Sequence, residues 1–408
     1  MTTDWTTMDS SHSLHEPADR NTAPARPRAT SWPLRRWVQG PLLLALGALA
    51  GCGGIQAGDG APLPAGEEEL RGAASSPGDE VDPLGNVDPE AVGLSAGGLA
   101  KLANYVGGHG VVYRDTGFVH QWGDASVRRD IGSAAKPIYS YFLFRSIYAR
   151  GKPAGVDERV SLYEPRLCQI NPPGYKDCKI TWRHLANQTS CYGVSEAPGT
   201  AFNYNDFQTA LFFDTLFLKV WGASYSTVDS ILRGPHLCQT LRCQDSPTFL
   251  AFGLNDRPGR VAISPRDFAR FGVLFLNRGT FGGTRLLPAD WVDTIVGSPL
   301  SNSIPQSRGV EAEMIPGQRS IGSTKKPDNQ GDHLGSYSWM WWTNGVDRSG
   351  KRHWPTAPLD TYAAVGHNGK HILVVIPSRR LVASWNSSKI VGAAMQNEAF
   401  RLLVQSVL

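Results

Sequence analysis

Between Leu94 and Leu408 the apolar positions fall into a few regular patterns. In Leu94–Val106, the residues Leu99, Leu102 and Val106 recur at helical spacing behind Ser95, whose hydroxyl suits a helix start. Gly110–Arg114 and Gly117–Trp122 are short runs rich in β-branched and aromatic residues on either side of Asp115-Thr116, which predicts an antiparallel hairpin. His371–Ile376 and Leu381–Trp385 repeat that pattern around Pro377–Arg380, and a closing helix is expected from about Ile390. Ile138–Tyr148 is apolar and aromatic all round, which predicts a helix buried inside a core. Strand pairs at both ends with helical and loop-rich sequence between them imply an α+β domain over 88–408. Its antiparallel sheet is built from both ends of the domain, flanked by helices, with an inserted, mainly helical region. No internal repeat is visible.

The pattern before residue 88 is different. Met1 to Trp32 is rich in Ser, Thr, Pro and Ala and has no apolar period, so no fold is expected there. Arg35-Arg36 then precedes the apolar run Pro41–Ala50 and the small residues Gly51 and Cys52, the layout of a secretory signal too short to span a membrane. Leu49-Ala50-Gly51-Cys52 resembles the lipobox of bacterial lipoproteins, which implies that 1–51 is a leader and that Cys52 becomes the lipidated first residue. The stretch before Arg35 is long for such a leader, so translation starts near Leu34 or the leader is of the twin-arginine type. Residues 52–87 are Gly, Pro, Ala, Ser and acidic, the composition of a flexible tether. The implied location is the bacterial cell envelope, with a lipoprotein facing the periplasm or the exterior and the membrane as a partner through Cys52.

Composition narrows the class. With 41% hydrophobic and 19% charged residues in 408, the chain is globular, which excludes wholesale disorder, collagen and a polytopic membrane protein. A net charge of +4 without a basic run interleaved with aromatics argues against nucleic acid as a partner. Of six cysteines, Cys52 is set aside as the lipidation site. In an oxidising envelope the near neighbours Cys168 with Cys178 and Cys238 with Cys243 are the first expectation for disulfides, leaving Cys191 free. There is no Cys-x-x-Cys or His-Glu-x-x-His spacing, so neither a metal nor another cofactor is expected.

Candidate chemistry begins at Asp130-Ile-Gly-Ser133-Ala-Ala-Lys136-Pro137, just ahead of the predicted buried helix. Ser133 and Lys136 share a helical face, and a serine at a helix N-terminus sits beside orphan N–H groups suited to a developing oxyanion. A lysine buried behind it loses charge stabilisation, its pKa falls, and it can take the serine proton. Ser-x-x-Lys alone recurs by chance, most often as a capping serine with a snorkelling lysine. The ordered company of the pair carries more weight: Lys179–Ser190, Pro198-Gly-Thr-Ala-Phe-Asn-Tyr204-Asn-Asp206, Gly259–Gly272, Trp339-Met-Trp-Trp342 and Gly366-His367-Asn368-Gly369.

With these boxes the chain from about Ser95 to Leu408 resembles the serine β-lactamase and penicillin-binding-protein superfamily, in its class C-like branch of esterases, DD-peptidases and aminohexanoate-dimer hydrolases. The resemblance implies Ser133 as nucleophile, Lys136 as the lysine of the same box and Tyr204 as a proton shuttle. It implies backbone N–H groups of Ser133 and Lys370 as the oxyanion hole. Asp206 stands where the family has Asn, and a carboxylate near Lys136 favours its charged form, which moves proton acceptance toward Tyr204. His367 and Gly369 occupy the family's Lys-Thr-Gly box. A mostly neutral His367 supplies less positive charge for a substrate carboxylate, so efficient β-lactamase activity is not expected. Asp206, His367, Gly369 and Trp342 are the expected substrate-binding residues.

Plainer roles go to the remainder. His184 is expected to be a core or capping histidine, Trp339 and Trp341 to pack a core with Trp342 as a wall of the pocket, and Asp267 with Arg270 to form a structural ion pair. Residues 301–336 read as a surface loop bordering the substrate cleft. The implied function is an envelope-anchored serine hydrolase of small ester, amide or peptide substrates. Its rivals are a DD-peptidase or weak β-lactamase and, from another class, a non-catalytic peptide- or glycan-binding envelope protein.

Overall fold

The computed structural model describes residues 84–408. The leader, Cys52 and most of the tether lie outside the described residues. Backbone pairing begins ahead of the expected boundary at 88: the Phe118 N–H donates to Gly85 O (3.0 Å) and the Val87 N–H to Phe118 O (2.8 Å). The cause is the second strand of the first hairpin, whose edge would otherwise be unpaired.

Among the described residues eleven strands follow in chain order: β1 His109–Arg114, β2 Gly117–Trp122, β3 Arg129–Asp130, β4 Ala262–Ile263, β5 Thr280–Phe281, β6 Thr284–Arg285, β7 Tyr337–Ser338, β8 Trp341–Thr343, β9 Tyr362–Gly366, β10 His371–Ile376 and β11 Leu381–Asn386. The helices are α1 Ala96–Val106, α2 Lys136–Arg150, α3 Trp182–Ala186, α4 Asp206–Phe213, α5 Val228–Arg233, α6 Cys238–Leu241, α7 Pro265–Leu276, α8 Ala289–Gly297 and α9 Gly392–Gln405. Seven strands form one antiparallel sheet in the order β2-β1-β11-β10-β9-β8-β7, so both ends of the domain meet in its middle. Two short pairs, β3 with β4 and β5 with β6, stand apart from it.

Both faces of the sheet are covered, and the alternation along the strands sorts the core. Leu373 and Val375 of β10 and Val382 of β11 join α2, α4 and α7 on one face. Ile372, Val374 and Ile376 join α1 and α9 on the other. The first helix starts as its sequence predicts: Ser95 Oγ accepts from the Gly98 N–H (3.1 Å), and Leu99, Leu102 and Val106 are buried. On the opposite face α7 lies close enough that a Cβ on Gly272 would sit 2.6 Å from Val382 Cγ1. The helix can approach the sheet this closely only without a side chain there.

In the inserted region Cys168–Cys178 and Cys238–Cys243 are disulfides, and Cys191 is a buried free thiol. His184 caps α3: its N–H donates to Thr181 Oγ1 (3.3 Å), while its Nδ1 accepts from the Thr181 N–H (3.2 Å). Asp267 and Arg270 are fully buried within 3.9 Å of one another, and Asp267 accepts the N–H groups of Gln244 and Asp245, both at 2.8 Å. Among the described residues no helix is long and apolar enough to cross a membrane.

Candidate active site

Ser133 is delivered to the surface of the core by a turn fixed on three sides. The β3–β4 pair holds the chain before it, and the Ile131 N–H donates to Val261 O (3.0 Å). Gly132 then adopts a left-handed φ of 55°, its N–H donating to Asp130 Oδ1 (3.0 Å). A single 3₁₀ turn over Gly132–Ala135 runs directly into α2, whose first residue is Lys136. A Cβ on Gly366 at the end of β9 would overlap the Ile131 carbonyl oxygen, so the strand packs backbone to backbone against this turn.

Lys136 is 2% exposed, and its ammonium is shared among three neighbours. Nζ donates to Ser133 Oγ at 3.1 Å and to Asp206 Oδ1 at 3.1 Å, and it lies 4.4 Å from the centre of the Tyr204 ring. Burial alone pulls the lysine pKa down, but Tyr204 and Asp206 more than offset it, and the group is held above its ordinary value. Asp206 is correspondingly low: burial opposes ionisation, while Lys136 and the hydrogen bonds around the carboxylate favour it. The expected fall in the Lys136 pKa is therefore reversed, because Tyr204 and the Asp206 carboxylate both stand against the ammonium.

Tyr204 and Asp206 flank the start of α4. Asn205 caps that helix, its Oδ1 accepting the N–H groups of Phe207 (2.8 Å) and Gln208 (3.1 Å). Asp206, expected to bind substrate, lines the cavity, and both of its oxygens also hold protein groups. Oδ1 holds Lys136, and Oδ2 accepts the Ser323 N–H at 2.9 Å. Its own N–H donates to Asp328 Oδ2 (2.7 Å), and the Gln330 N–H donates to Tyr204 O (2.9 Å). The segment around 321–334 is thus tied onto Tyr204 and Asp206 and forms one side of the cavity, as the position of the predicted loop implied.

That cavity has a volume of about 1020 Å³, with Ser133, Lys136, Tyr204, Trp342 and His367 in its lining. Trp342 stacks between Tyr204 (6.2 Å between ring centres, 27° between planes) and His353 (5.5 Å, 11°), whereas Trp339 and Trp341 are buried. His367 stands beside the nucleophile turn: a Cβ on Gly132 would lie 2.8 Å from its Nε2. Burial and the nearby Arg260 keep its pKa below the ordinary value. Arg260 is itself paired with Asp130 through Nε (3.1 Å) and Nη2, and it approaches His367 Nε2 at 3.4 Å.

Two expected residues fall elsewhere. Gly369 does not line the cavity; its φ of 114° closes the β9–β10 turn, where a Cβ would meet Ile390 Cγ2 at 2.8 Å. The Lys370 N–H is directed back to His367 O (3.4 Å), and Lys370 lies outside the lining. Of this stretch, Val365, His367 and Asn368 line the cavity. The Asn344 N–H donates to Thr361 O (3.0 Å), so Thr361 faces β8, and strand alternation turns Val365 to the same edge beyond the end of β8. That position lies five residues before the Lys370 that the box spacing implied, and it could be read only from the strand pairing. Sequence reasoning also passed over Asp130, Arg260, Ser323, Asp328, Leu334 and His353. Asp130 and Arg260 sit inside quoted boxes, and Ser323, Asp328 and Leu334 inside the loop expected to border the cleft, but nothing local marks His353.

Among solved structures the domain is similar to a β-lactamase from Mycobacterium bovis, with a TM-score of 0.50, 16% identity, and coverage of 76% of this chain and 100% of that one. It is similar also to a penicillin-binding protein homologue from Caulobacter crescentus (TM-score 0.51, 12% identity, 77% and 99% coverage). A third similar structure is a protein from Bacillus anthracis provisionally assigned as a 6-aminohexanoate-dimer hydrolase (TM-score 0.50, 13% identity, 80% and 87% coverage). The domain has the serine β-lactamase and penicillin-binding-protein fold. No family model and no curated protein matches the chain. In this β-lactamase-fold domain the turn carrying Ser133 lies against β9 and opens onto the cavity, and among the described residues no cluster of His, Cys, Asp or Glu is arranged to hold a metal ion.

Proposed function

We propose that this β-lactamase-fold protein is a serine hydrolase that cleaves an ester or amide bond through an acyl-enzyme on Ser133. The observation that carries the reading is the contact between Lys136 Nζ and Ser133 Oγ (3.1 Å) at the entry of a buried helix, inside a cavity of substrate size. Because Lys136 is held as a cation by Asp206, it supports the developing negative charge near Ser133 and does not act as the base. Tyr204 then relays the proton: it takes the serine proton as it passes its own to the leaving group, so that no side chain changes charge overall. The Ser133 N–H at the helix start and the strand-edge N–H of Val365 are the oxyanion donors in this reading. Water then hydrolyses the acyl-enzyme.

The low pKa direction of His367 supports ester and amide substrates over β-lactams, since a neutral imidazole offers little to a substrate carboxylate. The leader and Cys52 extend the proposal to an envelope lipoprotein. Purified protein is expected to hydrolyse p-nitrophenyl acetate or butyrate and to take up a fluorophosphonate probe, and Ser133→Ala should lose both. Unchanged hydrolysis in that variant would remove the assignment, and an unlabelled wild type would favour a binding protein. Labelling by a fluorescent penicillin that depends on Ser133 would favour a DD-peptidase.

A further inference from the structure

Resting on the serine-hydrolase reading above, we propose that the substrate carries an uncharged apolar group, alkyl or aryl, that packs against Leu334, Trp342, His353, Val365 and Ala393 of the cavity lining, taken together as its apolar arm. Four observations meet here. The edges of the Tyr204–Trp342–His353 stack make a rigid aromatic wall, and Tyr204 ties it directly to Lys136 and so to the nucleophile. His353, pushed down to about 4 by burial, is an uncharged ring at neutral pH.

Of the three lysine and arginine residues lining the cavity, Lys136 is matched by Asp206 and Arg260 by Asp130; the third, Lys325, belongs to none of the five positions named. A carboxylate seated in the arm would therefore be desolvated without a cation from any of its five residues.

The fourth observation is Leu334, a large apolar side chain left 39% exposed at the cavity with a left-handed φ of 51°. Its neighbour His333 is fully buried and fixed at both ring nitrogens: Nδ1 accepts the Gly335 N–H (3.0 Å), and Nε2 lies 2.8 Å from Ile304 O. The fold thus holds a leucine in an unfavourable backbone conformation beside the cavity instead of burying it. An apolar ligand group would remove that surface from water.

The test compares two ester series, p-nitrophenyl esters with acyl chains from acetyl to octanoyl, and acetate esters of alcohols of matching length followed by acid release. In the wild type kcat/KM is expected to rise about two- to fourfold per methylene over the first steps of one series, which identifies the side of the bond that the arm serves. Leu334→Asn keeps a residue that tolerates the left-handed backbone but removes the apolar surface, and it should flatten that slope. Ala393→Leu, at an exposed position of α9, should fill the arm and move the preferred chain length shorter. Flat series in the wild type, or an unchanged slope in both variants, would overturn the inference while leaving the hydrolase reading intact. A wild type that turns over nothing in either series takes that reading down with it.

Discussion

At the scale of single residues, the Asp206 carboxylate bears most directly on the charge of Lys136. The carboxylate accepts from Lys136 Nζ and the Ser323 N–H at once and keeps the lysine protonated. Asp206→Asn should release that proton. In the wild type kcat/KM for p-nitrophenyl acetate should show no rise assignable to Lys136 near neutral pH. The variant should gain a limb that rises with pH as the lysine becomes a base. Identical profiles would mean that Asp206 does not control the lysine. Breaking a buried pair also costs roughly 3 kcal/mol or more at neutral pH, a loss that shrinks at higher pH once Lys136 is neutral; urea unfolding at two pH values reads it. Ser133, Lys136 and Tyr204 were legible as candidates in the sequence, since they sit in ordered boxes. The charge state of Lys136 was not, because it depends on a carboxylate seventy positions along the chain meeting the ammonium at 3.1 Å.

At the scale of elements, two junctions position the chemistry. Asn205 is 1% exposed; besides capping α4, its Nδ2 donates to Tyr192 O (2.9 Å) and Asn203 Oδ1 (2.8 Å). Asn205→Ala should lower stability by about 2–3 kcal/mol, the loss of a cap plus stranded buried partners, as measured by denaturant midpoint. Because Tyr204 and Asp206 adjoin the cap, kcat should fall with it. The second junction is the contact of β9 with the serine turn. Gly366→Ala places a methyl against Ile131 O and the Ala134 N–H, and displacing the nucleophile by even an ångström should cost about a hundredfold in kcat/KM. A fully active Gly366→Ala enzyme would count against this packing. Local pattern was enough to find β1, β2, β10, β11 and the Ser95 cap. It was not enough for β7 and β9, whose two and five residues become strands only by pairing with β8 and β10.

For the whole molecule, acid stability follows from buried histidines. Burial holds His353 and His371 at about 4, below the ordinary 6.5; for His371 the neighbours His367, Lys370 and Arg260 push the same way, against Asp130. Between these values the unfolded chain binds more protons than the folded one, so stability rises with pH across the window and is lost as pH falls from 6.5 toward 4. Each histidine accounts for at most about 3 kcal/mol of that loss. Replacing both by Gln should flatten the decline of Tm from about pH 6.5 to about pH 4; an equally steep decline in the double variant would assign it to other groups. The sequence by itself determined the α+β class, the assembly of the sheet from both ends of the domain, and the serine, lysine and tyrosine of the site. Hydrophobic period, turn residues and ordered boxes are local properties of the chain. Only the tertiary structure decided which strand edge faces the cavity, why Lys136 keeps its proton, and how residues 321–334 with Trp342 and His353 shape the pocket. Those depend on distances between residues remote in sequence, which packing sets and no local pattern encodes.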